Sequence, residues 1–230
     1  MSAIKAIVTD IEGTTSSLSF VKDILFPYAR ARLADFVSHH HGDPEVTAIL
    51  EQVRHEAGQR LDLEGVVTQL TQWLDEDRKI GPLKALQGLI WENGYRQGDF
   101  TGHVYDDAVR NLRRWHADGI KLYVFSSGSV KAQQLLYSHT EFGDLTPLFS
   151  GYFDTRIGAK GEPAAYRHIC QETGLAPDRI LFLSDVVVEL DAAAEVGFQT
   201  RHLVRDGSGD NGRHCQVAGF DEISLDAIAL

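Results

Sequence analysis

Short apolar segments alternate with helical patterns along much of the chain, and this alternation is the feature that most constrains the fold. The apolar segments are rich in β-branched and aromatic residues, as buried strands are, and they predict strands at 3–9, 120–125, 151–154, 180–183 and 200–204. Beyond residue 104, helical patterns lie at 105–117, 130–138, 164–173 and 187–196. Strands that alternate with helices build parallel sheets, so we predict an α/β fold.

The long stretch between the first two predicted strands breaks this alternation. Residues 10–119 are too many for one crossover helix. Helical patterns occur there at 21–37, 45–56, 63–75 and 83–95, and breakers separate them at Gly42-Asp43-Pro44, Gly58 and Gly81-Pro82. We therefore expect residues 17–100 to form a helical insert, a cap domain, within a core domain made of residues 1–16 and 101–230.

Net charge and apolar runs limit the classes of partner. The formal net charge is −11, which disfavours broad binding to nucleic acid, although it leaves room for a small phosphorylated ligand. No run of 18 or more apolar residues suggests a membrane span, and residues 1–10 do not resemble a secretion signal. We expect no membrane partner, a cytoplasmic location and a monomer. Cys170 and Cys215 lie too far apart in sequence to indicate a paired metal or redox site.

Polar clusters follow three of the predicted strands. Residues 10–15 (DIEGTT) follow the first, residues 126–129 (SSGS) follow the second, and Ser184-Asp185 follow the fourth. Ligands of open α/β sheets bind beyond the carboxyl ends of the strands. Lys160 lies in the loop region after the third strand. We therefore expect these segments to converge on one edge of the sheet.

The residue types in the first cluster suit phosphoryl transfer. The carboxylate of Asp10 can act as a nucleophile toward phosphorus and form an acyl phosphate. Glu12, two residues on, can act as general acid for the leaving group and then as general base for water. Gly13 and the following threonines allow backbone N–H groups to approach an anion.

The other clusters supply groups for phosphate and a metal ion. Ser126 and Ser127 offer donors to phosphate oxygens, and Lys160 can neutralise both Asp10 and the transferring group. Asp185, together with Asp10 and a backbone carbonyl, makes the partly hydrated oxygen shell that commonly holds Mg²⁺.

Each cluster has a simpler explanation when it is taken alone. The loop that begins at Asp10 could be a turn with a helix cap, and residues 126–129 could be a loop that caps the following helix. Lys160 could be a solvated surface lysine, and Asp185 could cap the helix that begins at Val186. The order of all four, each at its expected strand end, favours a catalytic site.

These residues resemble the signature of the haloacid dehalogenase (HAD)-like hydrolase superfamily. That signature is a nucleophilic Asp in a D-x-[DE]-G-T loop, a Ser or Thr after the second strand, a Lys and a late acidic pair. Here these are residues 10–14 (DIEGT), Ser126, Lys160, and Asp185 with Glu189. The resemblance implies a Rossmann-like parallel core with a helical cap inserted after the first strand. Acidic residues at both 10 and 12 resemble the phosphatases rather than the dehalogenases.

Within that superfamily the chain most resembles the enolase-phosphatase family of methionine salvage. The family typically reads DIEGTT in its first loop, as this chain does. The resemblance spans nearly the whole chain and includes the segments WLDEDRKIGPLKALQGLIWENGYRQGD at 73–99, VFSSGSVKAQQ at 124–134, FDTRIGAK at 153–160 and FLSDVVVELDAA at 182–193.

The resemblance implies a Mg²⁺-dependent phosphoric monoester hydrolase. It would enolise 2,3-diketo-5-methylthiopentyl-1-phosphate and then release phosphate to give the acireductone, through an aspartyl-phosphate on Asp10. By position, Asp10 and Asp185 would bind Mg²⁺, with Glu12 contributing, in our interpretation, through its backbone carbonyl. Ser126, Ser127 and Lys160 would contact the substrate, and Asp10, Glu12 and Lys160 would be catalytic.

The late acidic pair departs from the superfamily pattern, because Glu189 stands where a second aspartate is usual. We expect this longer carboxylate to serve the outer shell of the metal. Glu12 and Lys160 are both candidates for the base of the enolisation step. Two alternatives remain: another small-metabolite phosphatase of the superfamily, such as one acting on phosphoglycolate, and a binding protein that kept the fold without catalysis. We expect the helical insert to separate the two phosphatases, since it sets substrate choice.

Overall fold

The computed structural model describes residues 3–207 and 212–225. Residues 208–211 and 226–230, which fall in the range predicted for the core domain, lie outside the described residues. The strands are β1 (Ala6–Thr9), β2 (Lys121–Phe125), β3 (Phe149–Phe153), β4 (Ile180–Ser184), β5 (Gln199–Leu203) and β6 (Gln216–Val217). The α-helices are α1 (Phe26–His40), α2 (Pro44–Ala57), α3 (Leu63–Asp75), α4 (Gly81–Gln97), α5 (Asp106–Ala117), α6 (Val130–Ser138), α7 (Pro163–Thr173) and α8 (Val187–Val196).

The six strands form one sheet in the order β3-β2-β1-β4-β5-β6, and every neighbouring pair is parallel. The first strand in the chain is therefore central, between β2 and β4. Thr9 at the end of β1 pairs with Val124 on one side and with Leu183 on the other. The predicted α/β parallel fold is confirmed, and the carboxyl ends of three adjacent strands lie side by side.

The core of this sheet is apolar on both faces, as expected for a parallel sheet covered by helices. Alternate residues along the central strands, such as Val8 and Phe182, pack with α7 and α8 residues, including Tyr166 and Leu190, in one buried cluster. The intervening residues, such as Ile7, are equally buried. A rigid, fully buried sheet therefore carries the polar groups at its carboxyl edge.

The short strand β6 was not predicted from the sequence. It has only two residues, one exposed and one buried, and it pairs with β5 at the edge of the sheet. A strand this short carries no alternation long enough to recognise, so pairing rather than local sequence defines it.

Contacts between residues divide the chain into two compact units, Met1–Leu18 with Thr101–Leu230 and Ser19–Phe100. The second unit holds a π-helical segment (Phe20–Leu25) and helices α1 to α4. Prolines lie in the first turn of α1, α2 and α4, where a missing N–H costs nothing. Buried residues from all four helices, among them Leu33, Val53, Leu70 and Leu86, form its own apolar core.

None of the helices within the described part of the chain is long and apolar enough to cross a membrane.

Candidate active site

The polar residues of the site follow three adjacent parallel strands. Asp10 comes directly after β1, and its backbone N–H donates to the carbonyl of Leu183 in β4 at 2.9 Å. Ser126 follows β2, and Asp185 follows Ser184, the last residue of β4. Since neighbouring strands lie about 4.8 Å apart, the register brings the three segments to one edge of the sheet. The expected convergence is therefore present.

Residues 10–15 form a tight loop after β1. The backbone N–H groups of Thr14, Thr15 and Ser16 all point at one acceptor, the carbonyl oxygen of Ile11, at 3.2, 3.0 and 2.8 Å. The hydroxyl of Thr15 lies 3.2 Å from the carbonyl oxygen of Asp10 and donates back into the loop. Glu12 is half-buried, and its backbone bridges to Ser16. The loop thus holds Asp10 on a rigid turn with only 5 % of the residue exposed.

Lys160 is buried against two carboxylates. Its Nζ atom lies 2.7 Å from Oδ1 of Asp10 and 2.7 Å from Oε2 of Glu189. The hydroxyl of Tyr166 on α7 donates to the carbonyl of Lys160 at 2.7 Å and fixes the loop that carries it. Burial alone would lower the pKa of Lys160, but the charges of Asp10 and Glu189 raise the pKa above its usual value. Lys160 is therefore a buried residue paired with two carboxylates, not a solvated surface residue.

Glu189 lies on the first turn of α8 and also accepts a hydrogen bond from the hydroxyl of Ser184, at 2.9 Å. Burial, followed by the charge of Asp10, raises the pKa of Glu189, while Lys160 opposes that rise. The structure thus places Glu189 as a direct partner of Lys160. Its expected role in the outer shell of a metal remains a prediction.

Asp185 lies against the loop that carries Asp10. A Cβ atom added at Gly13 would fall 2.1 Å from Oδ2 of Asp185, so only glycine leaves room for this carboxylate. Gly13 also has a φ of +72°, a conformation that favours glycine. The carbonyl of Asp185 lies 3.1 Å from Nε2 of His202. Burial, followed by the charge of Asp10, raises the pKa of Asp185 to about 6.

The charges of this group fit a bound cation. Asp10, Asp185 and Glu189 face one ammonium, that of Lys160, so the cluster carries excess negative charge. Oδ1 of Asp185 is buried and has no hydrogen-bond partner among the described residues. Within residues 3–207 and 212–225, no three His, Cys, Asp or Glu side chains are grouped as ligands for one ion. A cation here would therefore be held by two carboxylates together with backbone oxygen and water, a shell typical of a hard divalent ion.

The segment 126–129 forms the third part of the site. Ser126 is buried, its N–H donates to the carbonyl of Phe153 at 3.2 Å, and its hydroxyl accepts from the N–H of Gly128 at 3.2 Å. Ser127 is exposed. Ser129 is the N-cap of α6 and accepts from the N–H of Ala132 at 3.2 Å. The capping explanation is thus right for Ser129 alone. Ser126 is instead hydrogen-bonded to the end of β3 at the edge of the sheet.

The capping explanation for Asp185 is wrong. Val186 occupies the N-cap position of α8, and no side-chain capping hydrogen bond is formed there. The hydroxyl of Ser184 instead accepts from the N–H of Val186 at 3.1 Å. The side chain of Asp185 is therefore available to the loop at Gly13.

Several residues that support this site were not identified from the sequence. Arg205 donates from Nη2 to the carbonyl of Thr14 at 2.7 Å and from Nη1 to both oxygens of Asp107 at 2.8 Å. Asp107 lies in the first turn of α5. On α6, Tyr137 and Gln133 reach the loops at the sheet edge. For Tyr137 and Gln133, the sequence offered only one indication, a polar residue on an otherwise apolar face of the predicted helix.

Comparison with known proteins relates the chain to hydrolases. A family model described as haloacid dehalogenase-like hydrolase matches residues 4–197. A protein named Enolase-phosphatase E1 from Methylococcus capsulatus is 64% identical over 221 residues, which cover 96% of this chain and 97% of that protein. Another of the same name, from Thioalkalivibrio sulfidiphilus, is 59% identical over 222 residues, covering 96% of this chain and 99% of that one.

Solved structures share the fold. The crystal structure of the UTR4 protein (Unknown transcript 4 protein) from Saccharomyces cerevisiae aligns with a TM-score of 0.83 at 32% identity, and it covers 96% of this chain and 100% of that chain. A structure of CbbY from Rhodobacter sphaeroides in complex with phosphate aligns at 0.63 and 15% identity, which shows a shared fold only. The chain therefore belongs to the haloacid dehalogenase-like hydrolases and, within them, to the enolase-phosphatase E1 family.

Proposed function

We propose that the protein is the enolase-phosphatase of methionine salvage. It converts 2,3-diketo-5-methylthiopentyl-1-phosphate to the acireductone 1,2-dihydroxy-3-keto-5-methylthiopentene and phosphate. The observation that carries the proposal is the contact between Asp10 and Lys160, 2.7 Å apart in a buried site at the carboxyl edge of the sheet. A buried carboxylate in contact with an ammonium is suited to attack on phosphorus.

The phosphatase step divides among three side chains. Asp10 attacks phosphorus, the bond to the leaving oxygen breaks, and an aspartyl-phosphate forms. Glu12 gives a proton to that oxygen and then takes one from the water that hydrolyses the aspartyl-phosphate. Lys160, which contacts Asp10, offsets negative charge on the phosphoryl group as it transfers.

The segment after β2 supplies the phosphate contacts. The hydroxyl of Ser126 accepts from Gly128, which leaves its own hydrogen for a phosphate oxygen. Ser127 is exposed beside it and supplies a second substrate contact. Together with Lys160, these residues form the substrate-binding set.

Phosphatases of this family work with a divalent cation, and we infer that the cation is Mg²⁺. Asp10 and Asp185 would hold it through their carboxylates and Glu12 through its backbone carbonyl. Two observations support this assignment: the excess of carboxylates over ammonium, and Oδ1 of Asp185, which has no hydrogen-bond partner within the described part of the chain. The cation would supply charge stabilisation to the enolate and to the transferring phosphoryl group.

The proposal also covers the organisation and setting of the protein. A core domain of residues 1–16 and 101–230 carries the chemistry, and a helical cap domain of residues 17–100 sets substrate choice. The net charge of −11 disfavours nucleic acid as a partner and leaves room for a small phosphorylated substrate. We further infer a cytoplasmic monomer without a membrane partner.

A substrate panel tests the assignment. The purified protein with Mg²⁺ is given the diketo phosphate, phosphoglycolate and p-nitrophenyl phosphate, and both phosphate release and enol absorbance are recorded. We expect the diketo phosphate to exceed phosphoglycolate in kcat/KM by roughly a hundredfold or more. Preference for phosphoglycolate would favour the alternative phosphatase, and phosphate release without an enol signal would remove the enolase half.

Chelation tests the cation independently. EDTA should abolish phosphate release, and Mg²⁺ added in excess should restore it. The same treatment should leave the fold intact, since the core of the sheet is apolar. Full activity after exhaustive chelation would overturn the metal assignment.

A further inference from the structure

Two buried polar side chains lie one turn apart on helix α6, inside an otherwise apolar interface. Gln133 is 1 % exposed and Tyr137 is not exposed at all. Residues four apart lie on the same helix face, and their neighbour on that face, Leu136, is an ordinary core residue. Burying an amide and a phenol is costly unless both form hydrogen bonds. Their partners therefore show what the helix does.

Gln133 holds the segment that contains Ser126. Its Nε2 atom donates to the carbonyl of Gly128 at 2.9 Å and to the carbonyl of Phe153, at the end of β3, at 2.8 Å. Phe153 also accepts from the N–H of Ser126. Both partners of the amide are carbonyls, which only accept, so the opposite orientation of the amide would lose both hydrogen bonds. Its Oε1 atom is buried without a partner among the described residues.

Tyr137 holds the loop that contains Asp10. Its hydroxyl lies 2.8 Å from Oγ1 of Thr15. Either hydroxyl can donate in this contact. The hydroxyl of Thr15 also reaches the carbonyls of Asp10 and Ile11, at 3.2 and 3.4 Å, so the contacts run from α6 through Thr15 to the backbone of the Asp10 loop. The helix reaches one loop through Gln133 and the other through Tyr137.

We propose that Gln133 and Tyr137 are positioning residues that set the distance between the two loops of the phosphoryl-transfer site. The inference rests on the proposed function, because Asp10 attacks the phosphorus whose oxygens Ser126 binds. In-line transfer requires the nucleophile and the phosphate donors to be spaced for the transition state rather than for the bound phosphate. One rigid helix that contacts both loops fixes that spacing.

The geometry separates this role from packing alone. An apolar side chain of the same length at 133 would fill the same volume and remove the unpartnered Oε1 atom. The amide is nevertheless placed where it contacts two carbonyls at the sheet edge. Its principal effect is therefore on the position of residues 126–129.

The test uses two conservative variants and two matched controls. Gln133→Met and Tyr137→Phe each remove the polar group and keep the shape. Gln134→Met makes the same change at the next, exposed position. Tyr123→Phe removes a phenol hydroxyl whose pKa is raised by burial, with no hydrogen-bond partner among the described residues contributing. Steady-state constants with the diketo phosphate and with p-nitrophenyl phosphate are measured for all four, together with the thermal midpoint.

We expect kcat to fall roughly ten- to a hundredfold in Gln133→Met and in Tyr137→Phe, with KM changed less than about threefold. Both controls should match the unsubstituted protein. The double variant should lose less than the product of the two single losses, because both changes relax the same spacing. If Gln133→Met does not fold, Tyr137→Phe carries the test by the same criteria.

The inhibition constants of two inhibitors provide a measurement that a loss of stability alone would not change. Vanadate takes the five-coordinate geometry of the transition state, whereas inorganic phosphate has the tetrahedral geometry of the product. In both variants the inhibition constant of vanadate should rise in parallel with the loss of kcat/KM, and that of phosphate should stay the same.

The outcomes distinguish this inference from the proposed function. If the unsubstituted protein hydrolyses neither substrate, the proposed function fails. If it is active and the variants behave like their controls, or lose vanadate and phosphate affinity equally, the positioning role is wrong.

Discussion

The Nζ atom of Lys160 lies 2.7 Å from Oε2 of Glu189, and the same ammonium contacts Asp10. The side chains of Lys160 and Glu189 are 9 % and 12 % exposed, so the pair is largely shielded from solvent. Ser184 binds the same oxygen of Glu189. Glu189 therefore links the ammonium of Lys160 to the hydroxyl of Ser184 at the end of β4.

This contact separates the roles of Glu189 and Asp185. Glu189→Gln should lower kcat about tenfold, because Lys160 keeps only Asp10 as a charged partner. The concentration of Mg²⁺ that gives half-maximal activity should stay nearly unchanged. Asp185→Asn should raise that concentration by at least about tenfold, because it removes one of two carboxylates from the cation. Activity titrations with Mg²⁺ measure both effects.

Asp191→Asn on the exposed side of α8 is the control for these titrations. A large increase in the Mg²⁺ requirement of Glu189→Gln would return Glu189 to the metal shell, as the sequence suggested.

Asp10→Asn should abolish phosphate release and leave the fold intact. The amide is a poor nucleophile toward phosphorus, so kcat should fall by more than about 10⁴-fold. Circular dichroism and the thermal midpoint check the fold, and Asp118→Asn, after α5, is the control. Turnover near that of the unsubstituted protein would show that another group attacks phosphorus.

The sheet and the convergence of polar segments at its carboxyl edge could be predicted because their signals are local. Strands β1 and β4 are apolar runs that end in acidic loops, and register then brings Asp10 and Asp185 to one edge. The residue types at these strand ends indicated the chemistry, and the parallel pairing of the strands indicated that the residues lie close together.

The supporting contacts could not be predicted, because they join residues far apart in sequence. Tyr137 and Thr15 are 122 positions apart, and Arg205 and Thr14 are 191 apart. No periodicity or motif encodes such pairs. Only the folded sheet shows which polar side chain of α6 faces a loop and which faces solvent.

Arg205 should stabilise the Asp10 loop through its contact with Thr14. Its guanidinium lies 4.1 Å from the ring centroid of Tyr105 and pairs with both oxygens of Asp107, so it is held in one orientation. Arg205→Met would remove the guanidinium donor from the carbonyl of Thr14. It would leave the partly buried carboxylate of Asp107 with the backbone N–H of Phe220 as its remaining donor among the described residues. We expect a loss of about 2–3 kcal/mol in the free energy of unfolding, measured in urea.

Arg205→Lys should recover only part of that loss, since an ammonium cannot replace a two-pronged guanidinium. The control is Arg110→Met. The side chain of Arg110 is 53% exposed, so its ion pairs should contribute less than about 1 kcal/mol to the free energy of unfolding. Equal losses of stability in the Arg205 and Arg110 variants would show that the contact with Thr14 adds no more stability than an exposed ion pair.

Gly13→Ala tests the fit between the Asp10 loop and Asp185. Gly13 has a φ of +72° and Gly174, at the end of α7, has a φ of +67°, so alanine suffers similar backbone strain at both positions. At Gly174 the added Cβ meets nothing within 4 Å, whereas at Gly13 it would overlap Oδ2 of Asp185. Gly174→Ala should cost about 1 kcal/mol in the free energy of unfolding, and Gly13→Ala at least about 1 kcal/mol more.

The two alanine variants should differ more clearly in their Mg²⁺ requirement than in their stability. Gly13→Ala pushes the carboxylate of Asp185 away from the loop, so its Mg²⁺ requirement should rise as it does in Asp185→Asn. Gly174→Ala should keep the Mg²⁺ requirement of the unsubstituted protein. If the two alanine variants lose the same stability and bind Mg²⁺ alike, Asp185 does not depend on the space at Gly13, and its place in the cation site must be reassigned.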